Sequence, residues 1–165
     1  MQYGYGGILV RMNEKITKKV GEACAFAQVL EATYQANEAV MKELLGKQAS
    51  DVVKTAGSQV TALKSICDEA GTTTTLLPKV EKTADKITRM GEMYVGDDWD
   101  DFAEVLEWMS FFVGGAIVHW QLISGAGEAM GHTALKRVSD AGVVYYTELL
   151  EQLKEAATKV GTDRA

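Results

Sequence analysis

Trp108 to Gly127 reads WMSFFVGGAIVHWQLISGAG, twenty consecutive residues without a formal charge. A run of that length is long enough to cross a bilayer as a helix, so its reading decides the fold. Its composition points inward. It holds Ser110, Ser124, His119, Gln121 and four glycines, and the helices on either side would lose their packing surface if it left for a membrane. The expectation is a helix buried around most of its circumference inside a soluble bundle.

Working outward, the residues ahead of this run punctuate it. Gly96 precedes Asp97, Asp98, Asp100 and Asp101, acidic residues that cap a helix start and favour its dipole. A calcium loop fits less well, because the bidentate glutamate it needs downstream falls at Trp108. Further upstream, Ile16, Val20, Ala23, Ala27, Leu30, Tyr34, Met41 and Leu44 share one helical face, with Asn13 as N-cap and Gly46 as stop. This predicts one helix of about nine turns. Ser50 and Asp51 open a second helix, with Val52, Ala56, Val60, Leu63, Ile66 and Ala70 on one face, ending at Gly71. The short separation makes the pair antiparallel.

Pro78 stands where a first helical turn tolerates it, and Val80, Ala84, Ile87 and Tyr94 follow on one face. The expectation is a short crossover helix of roughly 25 Å. After the uncharged run, a last helix from His132 carries Leu135, Val138, Gly142, Tyr145, Leu149, Leu153 and Ala156 to a stop at Gly161. The chain is thus expected to be all-α, with an N-terminal arm at 1–12, one helical domain at 13–161 and a tail at 162–165. Gly4, Gly6 and Gly7 with Tyr3 and Tyr5 mark the arm as a flexible segment or an upstream-start extension.

The 165 residues suit a single domain. A formal charge of −6 with scattered Lys and Arg lacks the positive footprint that nucleic acid requires. Cys24 and Cys67 fall inside predicted helices with no secretory leader ahead of them, so they are expected to be reduced, buried thiols in a cytoplasmic protein. The small residues Gly114, Gly115, Ser124, Gly125, Ala126 and Gly127 would let another helix come close. A helix apolar nearly all round suggests a homodimer burying Trp108, Phe111, Phe112 or Trp120.

Little in the sequence carries chemistry. No phosphate loop, nucleophile elbow or zinc-type cysteine pair is present. A di-iron bundle needs Glu-x-x-His pairs pointing inward, yet Ala116 and Ala129 precede His119 and His132 by three. Glu104 with Glu107 and Glu148 with Glu151 have the right spacing, but they read as solvated faces near helix ends. His119 is expected to be a buried neutral imidazole bonded to a neighbouring helix, with metal or haem ligation as the alternative. Glu128 and His132 stand four apart, with Gly131 between them where the helix ends, and make a poor metal pair. The methionines inside helices fill gaps in the core.

Two hairpins joined by a crossover make a ferritin-like arrangement, and four stretches sharpen the likeness. They are Thr33-Tyr34, Gln59 to Ile66, Val118-His119-Trp120-Gln121 with Leu122, and Ala134-Leu135-Lys136. Across residues 20–158 the chain resembles the YciF/YciE-like family of ferritin-like, stress-associated bacterial bundles, often dimers. The resemblance implies a ferritin-like antiparallel four-helix bundle with a short additional crossover helix. It also implies that the di-iron ligands are lost. Asn37 stands at the first-helix carboxylate position with Glu38 one step off, Val52-Val53-Lys54-Thr55 replaces the second acidic segment, and Val118 and Gln121 flank His119. Val143-Val144-Tyr145 replaces the last cluster.

The expected function is therefore a non-catalytic binding or scaffold protein with no cofactor, taking a protein partner or small apolar ligand near His119 and Gly115. One alternative is an iron or manganese oxidase or storage protein using Glu31, Glu38, His119 or Glu148. Another is a carrier of an apolar ligand or haem between the helices.

Overall fold

The computed structural model describes residues 12–165, which form six helices and, among the described residues, no strand. Residues 1–11 of the expected arm lie outside the described residues. Met12, assigned to that arm, is buried in the core.

Helix α1 (Glu14–Ala36) starts where expected, Asn13 Oδ1 accepting from Ile16 N at 2.9 Å. The nine-turn helix is broken at Asn37, which leaves helical geometry at φ −122° and ψ 36°. Its side-chain amide donates to the Thr33 carbonyl at 3.0 Å, the local competition that makes asparagine a poor interior helix residue. A separate short helix, α2 (Glu38–Leu45), follows and ends at Gly46, whose φ of 60° suits a residue without Cβ.

α3 (Gln48–Glu69) starts two residues before Ser50 and stops at Gly71, with φ 69°. Thr72 N closes its last turn onto the Cys67 carbonyl at 2.8 Å, the six-to-one bond of a glycine-ended helix.

α4 (Thr73–Val95) overturns the expectation of a short crossover, since it has 23 residues, as many as α1. It begins five residues upstream of Pro78, which therefore stands beyond the first turn. Proline cannot supply the N–H for the Thr74 carbonyl. Both residues are exposed, so water can satisfy that oxygen and the helix continues.

α5 (Phe102–Ala129) is capped by Asp101, whose Oδ1 accepts from Ala103 N at 2.8 Å and Glu104 N at 3.4 Å. α6 (Thr133–Asp163) is capped by His132 and runs through Gly161 instead of stopping there. Thr162 and Asp163 of the expected tail continue this helix, and Arg164 reaches back to Asp101 at 2.5 Å.

α1 packs on α3 and α5, and α6 closes the ring by packing on α5 and α3. α4 lies outside this ring along α1, touching α5 and α3 more lightly. Neighbours in the ring run antiparallel: Gly127 of α5 meets Lys136 near the start of α6, and Gly142 lies under Trp120. On α6 the core face is Leu135, Ser139, Gly142, Tyr146, Leu149 and Leu153. Tyr146 thus takes the buried place expected for Tyr145, which is only partly covered.

Candidate functional site

His119 is positioned by the crossing of α1, α4 and α5. Its Nδ1 lies 2.9 Å from the Gly115 carbonyl one turn back, and this bond makes Nδ1 the donor. Nε2 then faces Glu22 Oε2 on α1 at 3.5 Å. The Phe26 ring lies 4.6 Å from the imidazole and 5.2 Å from Phe112. The expectation of full burial is corrected, since the His119 side chain is 28% exposed. It stands in the cleft between α4 and α5, and its strongest bond is within its own helix.

Glu22 is the centre of this cluster. Lys79 of α4 reaches Oε1 at 2.7 Å, and Lys19 reaches Oε2 at 2.8 Å. Burial pushes the Glu22 carboxyl up, but hydrogen bonds from Lys19 and Lys79 and their charges outweigh it and hold the group below the usual carboxylate range. Gly21 gives Lys79 room, since a Cβ there would stand 3.0 Å from its side chain. The arrangement ties α4 to α1 and α5. It is too cationic for a metal and offers one imidazole and one carboxylate. Neither Glu22 nor Lys79 was singled out from the sequence. The available signal was a lone charge in the small-residue run Gly21-Glu22-Ala23-Cys24-Ala25.

The other metal candidates lie apart from His119. Glu31 faces Gly57 of α3, where a Cβ would stand 3.1 Å from Oε1. Glu38 is exposed and pairs with Lys42, and Glu148 is exposed on α6 near Asp51 and Tyr145. Among the described residues no three His, Cys, Asp or Glu side chains converge. Gly115 is packed, its missing Cβ facing the Phe26 ring at 3.6 Å.

Inside the ring, aromatic side chains fill the space between helices. The Trp120 ring sits 5.8 Å from Tyr146 and 5.5 Å separates Tyr146 from Tyr145. A Cβ on Gly142 would fall 2.3 Å from the Trp120 ring, so that glycine is the notch into which the indole fits. The polar ends of Tyr34, Gln59, Trp120, Tyr145 and Tyr146 are buried without a hydrogen-bond partner. Tyr146 Oη approaches Trp120 Nε1 and Tyr145 approaches Thr55 without well-formed bonds. Burial pushes all three tyrosine hydroxyls well above the usual range and the Cys24 thiol to about 11. Cys24 and Cys67 are both free and buried. Such groups stay protonated and unreactive near neutrality.

Trp108, Phe112 and Trp120, expected at an interface, are instead buried within this chain, and only Phe111 of the four is exposed. The outward face of α5 carries Phe111, Val118 and Leu122, at 66%, 58% and 51% exposure. Gly114 and Gly125 lie among them with nothing within 4 Å of a would-be Cβ. α5 is long and apolar enough to cross a membrane, and 39% of its most apolar stretch is buried in the bundle. Beside Phe111, a groove of about 630 Å³ lies between α5, α6 and the end of α4, lined by Tyr94, Leu106, Phe111 and Val160, with Glu107 and Arg164 also lining it.

No family model, curated protein or solved structure matches this chain.

Proposed function

We propose that the chain is a ferritin-like bundle without a di-metal centre, acting as a non-catalytic binding or scaffold protein through the outer face of α5. The ring order α1, α3, α6, α5 with α4 as crossover supports the ferritin-like reading. The observation that carries the loss of the centre is the Trp120 ring seated in the Gly142 notch. Inward carboxylates and imidazoles of a di-metal bundle would meet in that space, and here an indole and a phenol fill it. His119, which the resemblance places in the ligand set, faces Glu22 in the outer cleft. Stress-associated action rests on the resemblance alone, and a cytoplasmic location on the reading of Cys24 and Cys67 as reduced thiols.

Elemental analysis by mass spectrometry on natively purified protein tests this reading. The expected result is iron and manganese far below one per chain. Near-stoichiometric metal, with turnover of oxygen or peroxide, would overturn it in favour of an oxidase or storage protein.

A second reading, carriage of a small apolar ligand, is favoured by the groove between Phe111 and Val160. It predicts that an apolar fluorophore binds the protein and that Val160→Glu abolishes that binding. An equal affinity in the variant would remove this reading.

A further inference from the structure

The groove where α4 and α6 end and α5 begins combines apolar walls with a negative charge that nothing around it neutralises. Leu106, Phe111 and Val160 supply the walls, and the volume of about 630 Å³ lies within the range of small-molecule sites. Among the described residues lining it, Arg164 is the one cation and Glu107 the one anion, but their charges are not equally available. Arg164 is held by Asp101 at 2.5 Å, outside the lining. Glu107 has no cationic partner among the described residues, and its Oε2 accepts only from the Tyr94 hydroxyl at 3.0 Å. That bond, with the charges of Glu107 and of Glu104 one turn back, pushes the hydroxyl up, so it stays a neutral donor. The helix ends add to the sign. Neither α4 nor α6 has a basic residue in its last turn, and the negative ends of both dipoles favour a cation. The start of α5 opposes them, one helix end against two.

We propose that this groove binds a small organic cation, its apolar body against Leu106, Phe111 and Val160 and its positive centre beside Glu107 and the Tyr94 ring. It builds on the reading of the groove as a site for an apolar ligand and adds the ligand's class. The choice among classes follows from what each would do to Glu107. A neutral ligand would strip water from an unpaired carboxylate, which is unfavourable. An anion would bring a like charge against it. A cation supplies the missing partner, and the exposed rings of Tyr94 and Phe111 attract positive charge through their faces.

The test uses the full chain and a matched pair of ions, tetraphenylphosphonium and tetraphenylborate, which share size and apolar surface and differ in the sign of their charge. Isothermal titration calorimetry is expected to show the cation bound about tenfold more tightly than the anion. Glu107→Gln should weaken the cation about fivefold, the scale of one exposed charge contact, and should not weaken the anion. Glu107 is exposed, so the variant folds. Phe111→Ala should weaken both ions. Glu81→Gln should change neither, because it removes the same charge from an exposed position thirteen residues before Tyr94 on α4, about 20 Å away.

Equal affinity for the two ions, or preference for the anion, would overturn this inference and leave the groove as an apolar site. So would an equal loss in Glu81→Gln, because affinity would then follow the overall charge of −6. Binding of a neutral apolar fluorophore without binding of tetraphenylphosphonium would sink the inference alone. Binding of none of the three would remove the carrier reading and the inference together.

Discussion

Trp120 and Val118 stand two residues apart on α5 and meet opposite surroundings: the first is 0% exposed and the second 58%. The glycines divide the same way. On the inner side, Gly127 lets the Lys136 backbone in, where a Cβ would fall 2.8 Å from its nitrogen, and Gly142 of α6 receives the Trp120 ring. On the outer side, Gly114 and Gly125 receive nothing. One helix thus uses small residues twice, first to close its own bundle and then on a face that its own chain leaves open. Glycine inside a helix costs roughly 1 kcal/mol relative to alanine. The inner positions recover that cost in packing, whereas the outer ones recover it only if something outside the chain arrives.

The sharpest way to break this contrast is at its inner end. Trp120→Ala should lower unfolding free energy by about 4 kcal/mol, read from urea denaturation, because a large buried side chain is lost and a ring-sized cavity remains. Gly142→Ala comes next. Its methyl would sit 2.3 Å from the indole, which is locked among buried neighbours, and the expected loss is about 3 kcal/mol from overpacking. Gly114→Ala and Gly125→Ala should shift in the other direction, each stabilising the monomer by up to about 1 kcal/mol. Equal losses at inner and outer glycines would mean that the two faces of α5 are not different in kind.

This division was half legible in the sequence. The uncharged run marked α5 as a packed helix but overstated its cover, since 39% of its most apolar stretch is buried and one face stays open. Composition does not report which side of a helix is covered. Which of its aromatics turn inward depends on where α1 and α6 lie, and so Trp108, Phe112 and Trp120 could not be separated from Phe111. Helix stops followed the same logic. Gly46, Gly71 and Gly96 end helices with positive φ, whereas α6 runs through Gly161 to Asp163. The break at Asn37 had a local cause that periodicity does not report, since Val40 and Met41 keep the apolar rhythm on both sides of it. His119 was visible as the one imidazole in an apolar run, but its partner Glu22 lies 97 positions earlier in the chain, and only the fold brings them together.

The outer cleft provides a pH-dependent contrast with the interior. The Glu22 carboxyl titrates below its ordinary 4.5 in the folded chain, so its stabilising contribution is present above that value and is lost as pH falls through the depressed folded value. Other carboxylates, Asp101 and Asp140 among them, are lowered as well. The informative quantity is therefore the difference between wild type and Glu22→Gln. The variant's urea midpoint should fall less steeply below pH 4.5, and the two curves should converge in acid. Parallel curves would mean that Lys19 and Lys79 do not hold Glu22 in solution.

The smallest expected effect is at the centre of the bundle, and its sign matters more than its size. Tyr146 Oη is buried without a well-formed hydrogen bond, and burying a hydroxyl in that state is unfavourable. Tyr146→Phe keeps the ring against Trp120 and removes only the oxygen, so it should leave stability unchanged or raise it by up to about 1 kcal/mol in urea denaturation. Tyr34 and Trp120 come to the same interior with equally unpartnered polar ends. A clear loss of stability on Tyr146→Phe would therefore mean that these atoms share a buried water or a small polar ligand. The inner face of α5 would then be a site in its own right, and the contrast between a closed interior and an open exterior would fail at its centre.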